Sequence, residues 1–208
     1  MKDVTVFDYG SGNVHSAVKA MELAGASTSL SSDITTCIES DGLVVPGVGA
    51  FASVVEALVD NGGKKVIESR VKLGRPILGI CVGMQVMCEW GLENDEATKG
   101  LGIFPGVVEK LSAPRIPHMG WNSVETPVGS KIFAGLEGEM FYFVHSFALK
   151  KWESDRVLQE QKPEVTWAQH SQRFVAAVEQ GAVTATQFHP EKSGPAGLRL
   201  LKNWVGTL

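Results

Sequence analysis

One cysteine of the 208-residue chain stands between two glycines at a spacing that suits a nucleophile. Gly79-Ile80-Cys81-Val82-Gly83 follows an apolar run, which predicts a core strand, a turn at Cys81 and a helix from Gly83 onward. A nucleophile at such a turn needs a strained backbone, so small residues must stand two positions to either side. The helix start would favour the thiolate and offer N–H groups to an oxyanion. On this pattern alone, a cysteine that only packs in the core is the alternative.

A candidate base lies near the end of the sequence, in His189-Pro190-Glu191. It follows an apolar strand pattern over 182–188, and α/β sheets place their sites at strand ends. Alternate residues of an extended chain point the same way, so the Glu191 carboxylate could reach the His189 ring and orient it. Taken separately, the two could be solvated loop residues. Together with Cys81 they predict a catalytic triad in the chain order Cys, His, Glu.

A third motif, Pro46-Gly47-Val48-Gly49, follows a short buried run over 43–45. Glycines allow backbone orientations that other residues avoid, so a peptide N–H of this loop could face a reacting carbonyl. An ordinary tight turn is the alternative for the motif alone. Its place between a buried strand and a helix predicts an oxyanion loop.

The elements that would position these motifs follow a βα pattern in the first half of the chain. Strands are predicted over 4–10, where a turn follows, and over 27–30, 43–45 and the run ending at Cys81. Helices are predicted over 14–24, 51–60 and 64–73, the first capped by Asn13. Together they predict a mostly parallel sheet with flanking helices.

The second half changes to strands and turns over 101–187, with several prolines. The clearest strands are expected within 139–149 and on either side of the 169–172 turn, as an antiparallel addition to the sheet with long surface loops. A closing helix is predicted over 193–208, with Ser193 as N-cap, Pro195 in its first turn, and Leu198, Leu201 and Trp204 or Val205 facing the core.

Composition limits the class of protein. The chain is 44% apolar and carries a formal charge of −4, without a basic stripe for nucleic acid. Its three cysteines lack C-x-x-C spacing, which argues against a cystine scaffold or a zinc site; Cys37 and Cys88 are assigned to packing, Cys88 on the helix after Cys81. With no apolar run long enough for a membrane span, these features predict one cytoplasmic domain over 1–208 that needs no metal or cofactor.

The segments GICVGMQ, PGVG and QFHPEKSG resemble the class I (triad) glutamine amidotransferases, and the likeness extends over nearly the whole chain. The resemblance implies the flavodoxin-like fold of that class and an attack of Cys81 on the side-chain amide of L-glutamine, with His189 protonating the nitrogen that leaves as ammonia. It implies an oxyanion hole from the backbone N–H of Val82 and the loop Gly47, Val48 and Gly49. The positions implied to bind glutamine are Gln85, Gly83, His145, Ser146 and Phe147.

Two further blocks, Asp8-Tyr9-Gly10-Ser11-Gly12-Asn13 and Pro117-His118-Met119-Gly120-Trp121-Asn122, are similar to the glutaminase subunits that serve histidine biosynthesis. This similarity implies a heterodimer in which ammonia passes to a (β/α)8-barrel cyclase, with an interface at Asn13, His118, Trp121, Asn122 and Tyr142. The glycines around Val48 also predict that the loop turns an N–H into the site only once the cyclase has bound its ligand.

Two alternatives stay open. One is the glutaminase subunit of another triad amidotransferase, such as the one serving pyridoxal phosphate synthesis. The other is a non-catalytic binding module with a redox-sensing cysteine, which the presence of His189-Pro190-Glu191 disfavours.

Overall fold

The structure is a computed structural model that describes residues 1–152 and 162–208. Its first half runs β1 (Asp3–Phe7), α1 (Val14–Leu23), β2 (Ser27–Ser31), α2 (Ile34–Glu39), β3 (Gly42–Gly47), α3 (Phe51–Asp60), α4 (Gly63–Lys72), β4 (Ile77–Cys81) and α5 (Val82–Gln85). The rest runs β5 (Cys88–Glu93), β6 (Glu96–Lys99), β7 (Phe104–Lys110), β8 (His118–Ser123), β9 (Met140–His145), β10 (Phe147–Leu149), β11 (Glu164–His170), β12 (Gln172–Gln180), β13 (Val183–Thr186), a 3-10 helix (Pro190–Lys192) and α6 (Gly194–Val205).

A seven-stranded sheet in the order β11-β12-β13-β4-β3-β1-β2 is the centre of the fold. The five strands from β13 to β2 are parallel, and β11 and β12 extend them antiparallel at one edge. The predicted parallel sheet with flanking helices is therefore confirmed. Because parallel neighbours end at the same edge, β3, β4 and β13 bring the three predicted motifs to one side of the sheet.

The prediction for the second half is only partly right. Strands β11 and β12 do join the main sheet, but β10-β7-β5-β6 and β8-β9 form two separate sheets. An alternating pattern shows which face of a strand is buried but not which partner pairs with its edge, so the sequence could not separate these sheets.

The helix predicted after Cys81 is much shorter than expected. Helix α5 has four residues, and Cys88 lies in β5 rather than on a helix, which corrects that assignment. The carbonyls of Val86 and Met87 accept hydrogen bonds from the backbone of Leu101 (2.8 Å) and Phe104 (2.9 Å). These long-range bonds take the acceptors that a longer helix would need. Cys88 is fully buried, as the packing assignment expected.

The capping hydrogen bonds of the helices also differ from the prediction. Asn13 and Ser193 stand at the predicted N-cap positions, but neither side chain forms a capping hydrogen bond. The short helix α2 was not predicted, and its cap is formed: Asp33 accepts from the backbone N–H of Thr36 at 2.7 Å. Six residues are too few to show a helical period, whereas a cap is a local contact.

Arg70 is a buried cation that joins α4 to the end of α2. Its guanidinium donates to the carbonyl oxygens of Cys37 (2.9 Å), Ser40 (2.9 Å) and Pro76 (2.7 Å). Burial lowers the pKa of Arg70 to about 10, because a charge loses hydration energy in the core. Cys37 and Ser40 lie at and just beyond the carboxyl end of α2, where helix carbonyls lack intrahelical partners. The Pro76 carbonyl, in contrast, also accepts from the backbone N–H of Leu43 at 3.1 Å. None of the described helices has the length and hydropathy needed to cross a bilayer.

Candidate active site

Cys81 ends β4 in a backbone conformation that few side chains adopt, with φ 56° and ψ −113°. The predicted need for flanking glycines has a steric cause. A Cβ on Gly83 would overlap the carbonyl oxygen of Val45, and one on Gly79 would lie 2.9 Å from the methyl of Met87. The dipole expected behind the thiol is weak because α5 has four residues, so the free N–H groups at its start are the main local donors.

His189 and Glu191 form a buried pair, with His189 Nδ1 and Glu191 Oε1 2.7 Å apart. The contact is as predicted, but extended alternation is not its cause. Glu191 lies in the 3-10 helix Pro190–Lys192, and that turn brings the carboxylate back to the ring. Burial lowers the pKa of His189, but its hydrogen bonds to Cys81 and Glu191 outweigh burial and raise the pKa to about 9. The site therefore favours an imidazolium beside the thiol.

Ser193 anchors the segment that carries this histidine. Its hydroxyl donates to the carbonyl of His189 at 2.7 Å and accepts from the backbone N–H of Tyr142 at 2.9 Å. The N–H of His189 in turn donates to the carbonyl of Tyr142 at 3.0 Å. Ser193 thus holds the turn against β9 instead of capping α6.

The glycine loop lies directly beside the cysteine. In the β3–β4 register Gly47 is the partner of Cys81, and a Cβ on Gly47 would come within 2.5 Å of the backbone nitrogen of Gly83. Gly49 has φ +103°, which favours glycine. The structure therefore brings Gly47, Val48 and Gly49 next to Cys81 and Val82, as expected for residues of one site.

The segment after β1 holds the glycine loop through two hydrogen bonds. The Tyr9 hydroxyl donates to the carbonyl of Pro46, and the Ser11 hydroxyl donates to the carbonyl of Val48 at 3.1 Å. Because C=O and N–H point in opposite directions in a trans peptide, the Ser11 bond turns the N–H of Gly49 away from Ser11. The sequence block over residues 8–13 thus contacts the glycine loop.

A cavity of about 240 Å³ opens over Cys81. The lining comes from the glycine loop, the turn at Cys81 with α5, the end of β5, the segment from the end of β9 into β10, and the segment that carries His189. These residues are Val48, Gly49, Cys81, Val82, Gln85, Glu93, Val144, His145, Ser146, Phe147, His189 and Lys192. All but one of the predicted glutamine-binding residues are in this set. The exception is Gly83, whose backbone packs against Val45 and does not line the cavity.

Sequence reasoning missed two charged residues of this lining, Glu93 and Lys192. Glu93 comes from β5, where its carboxylate also accepts from the backbone N–H of Phe51 at 3.0 Å. Nothing in the residues around Glu93 indicates a site, and Cys88, at the start of the same strand, was expected to lie on a helix. Lys192 follows the His-Pro-Glu motif directly, and its proximity could have suggested it.

Gln187 was also missed, although it contacts the nucleophile. Its Nε2 donates to Cys81 Sγ at 3.8 Å, and its Oε1 accepts from Gln85 Nε2 at 2.9 Å. Gln85 Nε2 also donates to the carbonyl of Phe147 at 2.8 Å. Gln187 precedes His189 by two positions on an extended chain, so alternation could have placed both toward Cys81.

Four of the five predicted interface residues divide between the two faces of the β8–β9 sheet. Trp121 is 53% exposed, and its ring meets that of its cross-strand neighbour Tyr142 with centroids 6.1 Å apart. His118 is only 5% exposed and points inward with Asn122, which donates to its ring. Direct partner contact by His118 is thus corrected, because alternate residues of a strand face opposite sides. Asn13 is exposed at the start of α1.

A larger hollow, of about 880 Å³, lies at the other end of the strands against Pro76, Val183 and Trp204. Its described lining contains no predicted site residue. Among the residues that the structure describes, no cluster of three or more His, Cys, Asp or Glu side chains could hold a metal ion.

Solved structures share this fold at low sequence identity. A "Crystal structure of glutamine amidotransferase" matches with a TM-score of 0.73 and 20% identity over 98% of both chains. The "Structure of PurLQS from Thermotoga maritima" matches with a TM-score of 0.75 and 17% identity over 100% of this chain and 99% of the other. A family profile described as "Glutamine amidotransferase class-I" covers residues 5–207. Fold and site together define a class I glutamine amidotransferase.

Curated relatives narrow the class. The chain is 58% identical to the imidazole glycerol phosphate synthase subunit HisH of Leifsonia xyli over 207 residues, which cover 100% of this chain and 99% of the relative. It is 54% identical to the subunit of the same name from Thermobifida fusca, over 99% and 98% of the two chains. The chain belongs to the HisH family of class I glutamine amidotransferases.

Proposed function

We propose that this chain is the glutaminase subunit of an imidazole glycerol phosphate synthase, with one glutaminase domain over residues 1–208. The observation that carries the proposal is that Cys81 and His189 line one cavity of about 240 Å³, with Glu191 hydrogen-bonded to His189 at 2.7 Å. A cavity of this size suits one amino acid better than a nucleotide. The relatives' shared name supports the choice over a subunit for pyridoxal phosphate synthesis.

The reaction proceeds through a thioester. The thiolate form of Cys81, paired with the imidazolium of His189, attacks the side-chain carbonyl carbon of L-glutamine; the C–N bond breaks as the amide nitrogen takes the proton of His189 and leaves as ammonia. A water molecule, deprotonated by His189, then attacks the thioester carbonyl, and glutamate leaves as the thiolate–imidazolium pair is restored. Glu191 holds the ring through Nδ1, so that the other ring nitrogen faces the reacting atoms.

The oxyanion of each step is bound by backbone donors. Val82 provides the N–H after the nucleophile, and the loop Gly47, Val48 and Gly49 provides the second donor from β3. Such a donor contributes about 3 kcal/mol to lowering the barrier. The Ser11 hydroxyl on the Val48 carbonyl sets the direction of the Gly49 N–H.

The cavity also offers groups for the backbone end of glutamine. The Glu93 carboxylate can pair with the α-ammonium group and the Lys192 ammonium with the α-carboxylate. Gln85 and the segment His145-Ser146-Phe147 line the same cavity. One acidic and one basic side chain in the same lining as Cys81 and His189 suit an α-amino acid with a side-chain amide.

The partner is a (β/α)8-barrel cyclase of the HisF type, which takes up the ammonia and forms imidazole glycerol phosphate and an aminoimidazole carboxamide ribotide in cytoplasmic histidine synthesis. The outer face of β8–β9 suits its docking. Met119 is 63% exposed and Trp121 53%, and they lie beside Met140 and Tyr142. Aromatic and methionine side chains are enriched in interface centres. Val144 continues this strand face into the cavity lining, which would give ammonia a short route.

The test uses the Cys81→Ala variant assembled with the cyclase. We expect no product with glutamine and undiminished product with ammonium salts, because only ammonia production needs the thiol. The matched control is Cys37→Ala, which removes a buried cysteine outside the cavity. Glutamine-dependent activity of Cys81→Ala would refute the assignment of the nucleophile, and failure to bind the cyclase would refute the assignment of the partner.

A further inference from the structure

Three polar side chains join the inner face of β8 to the wall of the candidate cavity. Asn122 Nδ2 lies 3.3 Å from His118 Nε2, His118 Nδ1 lies 3.0 Å from His145 Nε2, and His145 Nδ1 lies 2.9 Å from the carbonyl oxygen of Phe147. We refer to Asn122, His118 and His145 as the β8 polar chain. His145 and Phe147 line the cavity, whereas His118 does not.

The hydrogen-bond partners at the two ends of the β8 polar chain lead to one consistent assignment of the imidazole hydrogens. A carbonyl oxygen only accepts, so His145 carries its hydrogen on Nδ1 and its Nε2 must accept. At the other end, Asn122 Nδ2 also donates to the carbonyl of Gln169 at 2.9 Å, which fixes the amide orientation. His118 Nε2 therefore accepts from Asn122, and His118 Nδ1 carries the hydrogen that points at His145 Nε2. Each ring nitrogen of His118 and His145 then has a matching partner.

The surroundings keep both rings neutral. Burial lowers the pKa of His118 to about 4 and that of His145 to about 3. His170 stacks on His118 with centroids 4.2 Å apart, so a charge on either ring would be opposed by the other. A neutral imidazole has one donor and one acceptor. At neutral pH the hydrogen bonds of the β8 polar chain therefore all run in one direction, from Asn122 to the Phe147 carbonyl.

The Phe147 carbonyl connects this chain to the nucleophile. The same oxygen accepts from Gln85 Nε2 at 2.8 Å, and Gln85 also donates to Gln187, which donates to Cys81. The position of one carbonyl oxygen thus sets the Gln85 amide in the cavity wall. Without the hydrogen bond from His118, the Nε2 of His145 would be a buried acceptor with no donor. The His145 hydrogen would then be favoured on Nε2 instead of Nδ1, and the bond to the Phe147 carbonyl would be lost.

We propose that His118 is a positioning residue for the glutamine site: its Nδ1–H holds His145 in the tautomer that fixes the Phe147 carbonyl and, through it, the Gln85 amide. The proposal rests on the proposed function, in which the cavity binds glutamine. It assigns His118 no contact with the substrate or the partner.

The experiment compares the full-length chain with three variants. His118→Phe keeps a ring and removes both nitrogens; His118→Asn restores a donor at the Nδ1 position, because the side-chain nitrogens lie the same number of bonds from Cα. His170→Phe is the matched control, since it keeps a stacking ring and leaves the β8 polar chain intact. Acivicin, an electrophilic glutamine analogue, reports on the cavity, and iodoacetamide reports on the Cys81 thiol alone.

His118→Phe should raise the acivicin concentration for half-maximal inactivation about fivefold, the equivalent of one buried hydrogen bond. The iodoacetamide rate should fall much less than the acivicin response, since Cys81 is reached from Phe147 only through two further side chains, Gln85 and Gln187. His118→Asn should recover most of the loss, and His170→Phe should match the parent. An unchanged acivicin response in His118→Phe, a parallel fall in both rates, or no recovery in His118→Asn would overturn the proposal.

A second measurement does not depend on a variant folding or on the function. Nitrogen-15 NMR of the parent chain should show neutral His145 protonated at Nδ1, and a hydrogen at Nε2 would overturn the proposal. If the parent shows the expected tautomer but acivicin never labels Cys81, the proposed glutamine site fails while the polar chain stands. If labelling is specific and the tautomer is wrong, the role of His118 fails alone.

Discussion

Gly47 and Cys81 are cross-strand partners in the parallel pair β3–β4, so the last residue of the glycine loop's strand lies beside the nucleophile. This pairing places the glycine loop and the turn at Cys81 in one site, although 34 positions separate the two residues in the sequence. The close approach also leaves no room for a side chain at position 47, since a Cβ on Gly47 would reach the backbone of Gly83. This tight packing around the turn holds Cys81 in its strained backbone conformation.

Cys81→Gly should stabilise the protein while abolishing glutaminase activity. Glycine adopts φ 56° without the penalty of a side chain, and such strain costs about 1–3 kcal/mol. Cys81→Ala, which keeps a Cβ, is the control and should not gain stability. Urea unfolding monitored by circular dichroism measures both. A lower midpoint for Cys81→Gly than for Cys81→Ala would contradict the strain argument.

Gly83→Ala should destabilise the fold by about 3 kcal/mol or more, as an overpacked core substitution does. Helix propensity alone would make alanine better by about 1 kcal/mol, so the sign of the result separates the two effects. The cause is the overlap of the new Cβ with the Val45 carbonyl. In the control Gly206→Ala, the Cβ comes no closer than 3.2 Å to another heavy atom. A thermal midpoint equal to the control's would refute the argument.

The stability of the fold should fall as pH rises from about 6.5 to about 9. Because the pKa of His189 is raised from 6.5 to about 9 in the folded state, its contribution is complete below pH 6.5 and is lost as the pH passes 9. A shift of this size corresponds to roughly 3 kcal/mol. Urea unfolding at pH 6.5, 8 and 9.5 measures the slope. His189→Gln should flatten it, and an equal slope in that variant would assign the effect elsewhere.

Ser11→Ala should lower the glutaminase kcat about fivefold in the assembled enzyme, the effect of one lost hydrogen bond. The Ser11 hydroxyl holds the Val48 carbonyl, so its loss frees the peptide that carries the Gly49 N–H. KM for glutamine should change little, because Ser11 does not line the cavity. Ser29→Ala, whose hydroxyl contacts Thr5 on the sheet, is the control. A raised KM with unchanged kcat would contradict the orienting role.

Trp121→Ala should weaken cyclase binding by about 2 kcal/mol or more, as expected for an exposed aromatic at an interface centre. Isothermal titration calorimetry with the cyclase measures the change in Kd. The ammonia-dependent reaction should remain, since it belongs to the cyclase. Val128→Ala, an exposed apolar residue outside the β8–β9 sheet, provides the comparison. Equal affinity in the Trp121 and Val128 variants would move the interface elsewhere.

Local patterns were enough for several parts of the site. The glycine spacing around Cys81, the His189-Pro190-Glu191 tripeptide and the buried strand before the glycine loop are each readable within a few residues. The parallel sheet followed from the alternation of strands and helices. Their meeting at one sheet edge followed from the rule for parallel strands.

Other features depend on residues far apart in the sequence. Glu93 enters the cavity because β5 pairs with β7, and Gln187 meets Cys81 through the β13–β4 pairing. The helix expected through Cys88 gave way to hydrogen bonds from 101–104, which a local pattern does not contain.

The amino-acid sequence by itself determined the nucleophile's turn, the histidine–carboxylate pair and the parallel sheet, because each depends on local sterics or on periodicity. Only the tertiary structure decided which face of β8 is exposed, and hence that Trp121 points outward while His118 points to His145. The same holds for the chain from Asn122 to the Phe147 carbonyl. Its bonds join separate strands and loops, and which donor meets which acceptor is set by packing.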